Sequence, residues 1–355
     1  MWIYQEISLS CFKTRYRMEN ILQILESVRQ LPKHEQENLV KRINLNLNDS
    51  QDSVAKIIEV RQGHQEKEKF TCPHCSSEEV VGHGNYKGRK RYKCKVCKKT
   101  FNDLTGTSIS HIHKIDEWKS YLHCIANNLT LREAAKQVGI SFRTSFLWRH
   151  KIIGAFKDAG CTKLEGIIES DETFFLFSEK GKKKIEGRKP RKRGGKASKA
   201  GINNEQVAVL VSTDRNKQPI IEVACKGRIT TNQIEGCLGK WIGENASVLC
   251  SDSHRSYEKF AKDKKLKHVK INASKSQHVK NKVYHIQNIN NIHHLLKDWV
   301  KQFNGMSSGY LQNYMNWFRV LRIAGSDTGK YLEYLLASNS AFIAVKNIKP
   351  QYIIS

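Results

Sequence analysis

The sequence is short of acids: 34 Asp and Glu stand against 61 Lys and Arg, a formal charge of +27 over 355 residues. An excess of that size is what a polyanion neutralises, nucleic acid foremost. It also lacks any run of 18 or more apolar residues, which excludes a membrane-spanning helix. Residues 1–17 place Gln5 and Glu6 inside their only apolar stretch and carry their basic residues after it. That order is wrong for a signal peptide, and the ordered domains are expected to start near Met18. A disulfide framework is missing too. Of ten cysteines, four fall in two CxxC pairs and six are scattered, which fits a reduced, cytoplasmic compartment and a bound metal. What remains, with 39% hydrophobic residues, is enough for two or three domains with a sizeable core.

From Met18 to about Val60 the apolar residues recur at helical spacing (Ile21, Leu22, Leu25 and Val28, then Leu39, Val40 and Ile43). This predicts helices, followed by a charged linker from Arg61 to Phe70. Cys72-Pro-His-Cys75 and Cys94-Lys-Val-Cys97 then follow, separated by eighteen residues. Four thiolates so spaced close a tetrahedron round a structural zinc, with a hairpin between the two knuckles. The expected turn is at Gly82 to Gly84. Four cysteines already satisfy zinc, so His74 and His83 are not needed. Lys87, Arg89, Lys90 and Arg91 between the pairs are candidate phosphate contacts.

Ile115 to Asn127 reads as one helix, and the segment from Thr130 to Lys151 reads helix, turn, helix. Thr130 with Glu133 three residues on forms a capping box, Gly139 makes the turn, and Ser141 caps the second helix. That second helix is expected to expose Arg143, Thr144, Arg149 and Lys151, as a recognition helix in a major groove would.

The rest of the chain is organised around Gly166 to Phe175, GIIESDETFF, where an apolar strand carries Glu169, Asp171 and Glu172. Acids in a buried strand call for a cation. By strand alternation Glu169 and Asp171 share one face and Glu172 takes the other. Residues 179–201 pack eleven Lys or Arg among glycines, including Lys182, Lys183, Lys184, Arg191 and Arg193, a loop suited to phosphates beside the acids. Strands follow at Glu205 to Ser212 and Ile220 to Cys225, a helix at Thr231 to Ile242, and a buried strand at Val248 to Ser251 ending on Asp252. The helix from Ile286 to Phe303 has an apolar stripe, with Asn290, His293, His294 and Lys297 gathered on a flanking face. Strand, strand, strand, helix, strand, with an acid at the end of the first and fourth, is the order of an RNase H-like fold. It places Asp171 and Asp252 on adjacent strands, close enough to share a divalent ion.

These motifs, CPHC, RYKCKVCKKTF, LTGTSI, EWKSYL, ESDETFF, LCSDSHRSY, HIQNINNIHHLLKDW and FNGMSSGYLQNYMNWF, run from about Cys72 to Phe318. Together they resemble the ISXO-type insertion-sequence transposases, a zinc-ribbon branch of the DDE transposases. The resemblance implies a cut-and-transfer reaction on the inverted repeats at transposon ends, catalysed with two Mg2+ or Mn2+ ions. It carries the first two acids to Asp171 and Asp252. The third acid falls seven residues before Lys297, where this chain has Asn290. Asn290 is then the expected third magnesium ligand, with His293 or His294 in reserve and Glu172 and His285 as supporting residues.

The expected architecture is multidomain α+β. Residues 1–70 form a helical region and linker, 71–112 a zinc ribbon, and 113–160 a helix-turn-helix. An α/β RNase H-like domain with a mixed sheet spans 161–322, and a tail helix 323–355. The expected partner is double-stranded DNA in a prokaryotic nucleoid, held by a homo-oligomer that pairs two ends, with no membrane involved. The competing reading is a zinc-ribbon and helix-turn-helix regulator, or an inactivated copy, that binds DNA without cutting it.

Overall fold

The computed structural model describes residues 71–334, apart from 87–88, 108–109, 111, 113, 187, 192–193, 272–278, 326, 328 and 332–333, together with 26–30, 32–33 and 35–36. Of the helices expected between Met18 and Val60, only a helical stretch at 26–29 and isolated helical positions up to 36 fall within these residues. The tail beyond 334 lies outside them.

The first element group is a three-stranded antiparallel sheet of Val80–Tyr86 (β1), Arg89–Cys94 (β2) and Thr100–Asn102 (β3). The chain turns between Tyr86 and Arg89. Gly82 to Gly84, expected as that turn, lie instead within β1, where the pairing slips between Gly82 and Asn85 and Gly84 takes φ of +71°. A glycine in the left-handed region absorbs the extra residue of a bulge that any other side chain would strain. Among the described residues the core here is Cys72, Cys94 and Phe101 with their neighbours.

Three helices follow: Ile115–Ala126 (α1), Leu131–Val138 (α2) and Phe142–Ala155 (α3). The capping box forms as expected. Thr130 N donates to Glu133 Oε2 at 2.8 Å, Gly139 is left-handed at φ 71°, and Thr144 N donates to Ser141 Oγ at 3.1 Å.

The largest sheet has five strands in the order β6-β5-β4-β7-β8. They are Leu164–Leu176 (β4), Gln206–Thr213 (β5), Ile220–Lys226 (β6), Ile242–Ser251 (β7) and Lys267–Lys270 (β8). β4, β5 and β6 are an antiparallel meander, while β7 and β8 add in parallel on the other side of β4. The expected helix before β7 is shorter than its sequence pattern: α4 spans Thr231–Leu238, and β7 already starts at Ile242. The edge strand β8 was not expected, since four residues give too short an alternation to register.

Period 2 in β5 fills two cores. Val207, Val209 and Val211 face one helical layer and Ala208 and Leu210 the other, so the strand reads as continuously apolar because neither face meets water. The second layer holds α4 and Arg255–Asp263 (α5) through Ile234, Leu238, Tyr257 and Phe260. The first holds Gln287–Lys301 (α6) and Leu311–Ala324 (α7). The same core runs on into α1, α2 and α3 through Trp118, Tyr121, Trp148 and Ile152. Hydrogen bonds fasten it. Trp317 Nε1 donates to Ile125 O at 3.2 Å, Trp299 Nε1 to Asn128 Oδ1 at 2.7 Å, and Arg319 Nη2 to Phe156 O at 2.6 Å. α7 also clamps the edge strand β6, with Gln312 Oε1 accepting from Val223 N at 2.7 Å and its amide donating to Ile221 O at 3.1 Å. A covered edge offers no row of free backbone groups to another chain.

Candidate metal centres and the carboxylate cleft

In the small sheet, the sulfurs of Cys72, Cys75, Cys94 and Cys97 all lie within 4.8 Å of one another. The Cys72–Cys97 and Cys75–Cys94 sulfurs are 3.6 Å apart. That is far beyond a disulfide bond and close to the roughly 3.8 Å edge of a tetrahedron of sulfurs bound at about 2.3 Å to a central ion. Backbone amides support the cluster: His74 N points at Cys72 Sγ and Cys97 N at Cys94 Sγ, both at 3.4 Å. Desolvation opposes ionisation of Cys94, yet the amides of Cys97 and Val96 hold its thiol down to about 7. The donor set fits a metal.

The second centre is built across strands. β4 and β7 pair in parallel with Glu169 opposite Cys250, and continuing that register by two places sets Asp171 beside Asp252. Asp252 is the first residue after β7. Its Oδ1 accepts from His254 N at 2.9 Å, and this turn starts α5. Carboxylate oxygens of Asp171, Glu172 and Asp252 lie within 4.8 Å of one another. Glu172 was expected on the opposite face of the strand. With β7 ending at Ser251, nothing among the described residues pairs with that edge of β4 beyond Glu169, and carboxylates from both faces of the strand come together there. Burial, then the neighbouring Asp252 charge, raises the Asp171 pKa to about 6, and burial with the same two charges nearby raises Glu172 to about 7. Glu172 Oε1 is buried without a hydrogen-bond partner. Crowded, dehydrated carboxylates with an orphaned oxygen are what a cation relieves, so these residues fit one.

α6 closes the cleft. His293 Nδ1 is 3.9 Å from Asp171 Oδ2, and Nε2 is buried without a partner. Burial, then the Lys297 charge, lowers its pKa to about 4, leaving a neutral imidazole. Asn290, one turn earlier, is exposed, and its backbone amide donates to Ile286 O. His294 points away and pairs with Asp298 at 2.9 Å, because successive helix residues diverge by about 100°.

What fixes α6 against β4 is Glu169, which the sequence left without a role. It is fully buried. Its carboxylate receives Arg215 Nη1 at 2.6 Å, Asn288 Nδ2 at 2.7 Å and the α6 backbone amides of Asn288 and Ile289 at 3.1 and 3.4 Å. Glu169 therefore caps a helix from a neighbouring strand. His285, expected beside the chemistry, belongs to this brace, with Nδ1 3.3 Å from Glu169 and Nε2 3.0 Å from Arg215. It sits on a ribbon of Val279–Lys280 (β9) and Tyr284–His285 (β10), turned by Asn281 and Lys282 at positive φ. Sequence reasoning also missed Tyr257, fully buried against Glu172, although it lies in LCSDSHRSY.

The expected DNA contacts divide. Arg143, Lys90, Lys183, Lys184 and Lys297 are exposed, and Lys87 and Arg193 lie outside the described residues. Arg149 is fully buried, donating to Leu129 O at 2.6 Å, and Lys151 is buried on Ser110 O at 2.6 Å. Both point into the core because only the first turn of α3 leaves it. Arg191 braces the basic insertion through Phe177 O and Glu205, Lys182 pairs with Glu179 at 2.7 Å, and Arg89 and Arg91 are turned toward Asp103 and Thr100.

Residues 163–319, which hold the whole carboxylate cleft, match the family described as ISXO2-like transposase domain. Over that span the chain is similar to the ISXO2-like transposase domain. The chain is also 26% identical over 262 residues to an uncharacterized protein in transposable element ISH50 of Halobacterium salinarum (strain ATCC 700922 / JCM 11081 / NRC-1), covering 73% of this chain and 87% of that relative. Among solved structures it aligns with a pre-cleavage Mos1 transpososome and a Mos1 strand transfer complex. Each is 10% identical with a TM-score of 0.23 over 63% of this chain, and the alignments cover 79% and 78% of the Mos1 chains. Among the described residues no helix is long and apolar enough to cross a membrane.

Proposed function

We propose that the chain is the DNA transposase of an insertion sequence, binding the element's terminal inverted repeats and catalysing metal-dependent strand cleavage and strand transfer. The observation that carries this is the convergence of Asp171, Glu172 and Asp252 within 4.8 Å inside the transposase domain. The sheet order, an antiparallel meander extended in parallel by β7 and β8, supports an RNase H-like fold for residues 161–322. The four-cysteine sheet supports a zinc ribbon at 71–112, and the capped helices support a helix-turn-helix within 113–160.

Magnesium or manganese fits the all-oxygen carboxylate set, as zinc fits the four thiolates. A divalent ion bound there would supply activation of an attacking water or 3′-hydroxyl and stabilisation of the leaving oxygen. Asp171 and Asp252 hold the metal side of the cleft, with Glu172 as the third carboxylate. His293, rather than the expected Asn290, is the α6 group placed against Asp171, where its neutral ring can accept a proton or a hydrogen bond. Lys297 offers a positive charge to the phosphate beside them. The duplex lies over Arg143 at the free turn of α3 and over Lys90, Lys183 and Lys184, and two copies of the chain pair the two ends.

The test is purified protein with Mg2+ and a duplex bearing the terminal inverted repeat. Strand cleavage absent from an Asp171→Ala control is expected. Binding with no cleavage above that control would leave a DNA-binding protein and overturn the enzyme.

A further inference from the structure

Apart from the carboxylates, the chain encloses a cavity of about 920 Å3. The start of α3, the loop after β4 and the loop joining α6 to α7 bound it. Its wall is aromatic. The His150 ring lies 4.1 Å from Tyr310 and 4.5 Å from Phe146, and Phe303 packs 4.9 Å from Tyr314. Phe142 stands at the mouth, 53% exposed.

The rim is basic, with Arg132, Lys180 and Lys182. Lys180 Nζ ties two of the loops together by donating to Asn304 O at 3.1 Å and Gly305 O at 2.7 Å. Behind the wall sits a buried cation. The Arg149 guanidinium lies 5.0 Å from the Trp317 ring and donates to a backbone carbonyl, Leu129 O, rather than to a carboxylate. Its Nε and Nη1, beside the phenols of Tyr121 and Tyr314, form no aligned hydrogen bond, and neither does the buried Nδ1 of His150. A buried positive charge under an aromatic wall, with Glu133 near enough to feel it but not ion-paired with it, favours an electronegative guest.

We propose that this cavity holds one nucleotide of an unpaired DNA strand, its base among Phe142, Phe146 and Tyr310 and its phosphate on the Arg132, Lys180 and Lys182 rim. Stacking faces beside a cationic track are how proteins hold single strands. The rim is also within reach of the cleft. Lys180 is nine residues past Asp171, so at about 3.3 Å per residue the two are at most roughly 30 Å apart. At about 3.4 Å per nucleotide a strand spans that in fewer than about ten nucleotides. The proposal rests on the chain acting on DNA, and adds to that reading a holding site for an unpaired base.

Fluorescence anisotropy with the full chain tests it, using a labelled short thymidine strand, the same strand made wholly abasic, and a labelled duplex. The thymidine strand is expected to bind about tenfold more tightly than the abasic one. Phe142→Ala, exposed enough to leave the fold intact, should remove most of that difference while changing duplex affinity by less than about twofold. Equal affinity for thymidine and abasic strands, or an effect of Phe142→Ala that is absent or equal on strand and duplex, overturns the cavity's role alone. Binding to none of the three DNAs overturns the proposed function with it.

Discussion

The two metal-ligand clusters differ in how they are assembled. The four cysteines come from two tight knuckles, each closed by backbone amides onto its own sulfurs, and little else packs there. The carboxylates come from β4 and from the turn after β7, 81 residues apart between Asp171 and Asp252, and a large two-sided core holds them together before any ion arrives. The first cluster would need a metal to hold its fold. The second would offer a metal a cleft that the fold already holds. Breaking each therefore has opposite consequences.

The largest effect is expected at the carboxylates. Asp171→Ala or Asp252→Ala removes several kcal/mol of transition-state stabilisation, on the order of a thousandfold in cleavage rate. Thermal stability should stay equal or rise, because like charges no longer crowd the cleft. Activity assays with calorimetry check both, and a large loss of stability would make these acids structural. Next, Cys97→Ser should empty the four-cysteine site, whose metal contributes roughly 10 kcal/mol to folding in modules of this kind. Elemental analysis reads this, and retained metal would contradict the four-thiolate centre.

Glu169→Gln tests whether the cleft is braced before metal binds. Breaking a buried ion pair costs about 3 kcal/mol, read by urea denaturation, and a change below about 1 kcal/mol would remove the brace. A smaller effect separates α6 residues: His293→Ala should weaken a magnesium-induced rise in Tm while Asn290→Ala leaves it unchanged, and the reverse would restore Asn290 as the ligand. The last is seen only in acid. Burial, then the Arg149 charge, lowers the His150 pKa to about 3. Its folded value is depressed, so the unfolded chain takes the proton first and stability falls as pH drops from about 6.5 toward 3, by up to about 1.4 kcal/mol per unit. His150→Phe should flatten that slope, and an unchanged slope would assign it to other groups.

The contrast also explains what could be read from the sequence. Cysteine spacing, the Thr130–Glu133 box and the strand ending on Asp252 are local patterns, and each forms where its residues imply. Arg149 and Lys151 look like any basic residues on an exposed helix face. Only packing with distant segments buries them, Arg149 against Trp317 and on Leu129 O and Lys151 on Ser110 O, and no local pattern carries those contacts. Glu169 is legible as a strand acid but not as a helix cap, because its partners Arg215 and Asn288 lie 46 and 119 residues away. The side of α6 that meets Asp171 depends on how the helix is rotated, which the Glu169 brace decides, and so His293 could not be told from Asn290.

The shared core of α1, α2, α3, α6 and α7 has one more consequence. Trp317, Trp299 and Arg319 bolt the helices bearing Arg143 to the layer bearing His293, so the chain is a calliper with fixed jaws. On the proposed function, the offset between the base pairs gripped and the phosphate cut would be a length stored in these tryptophans and not in a flexible tether.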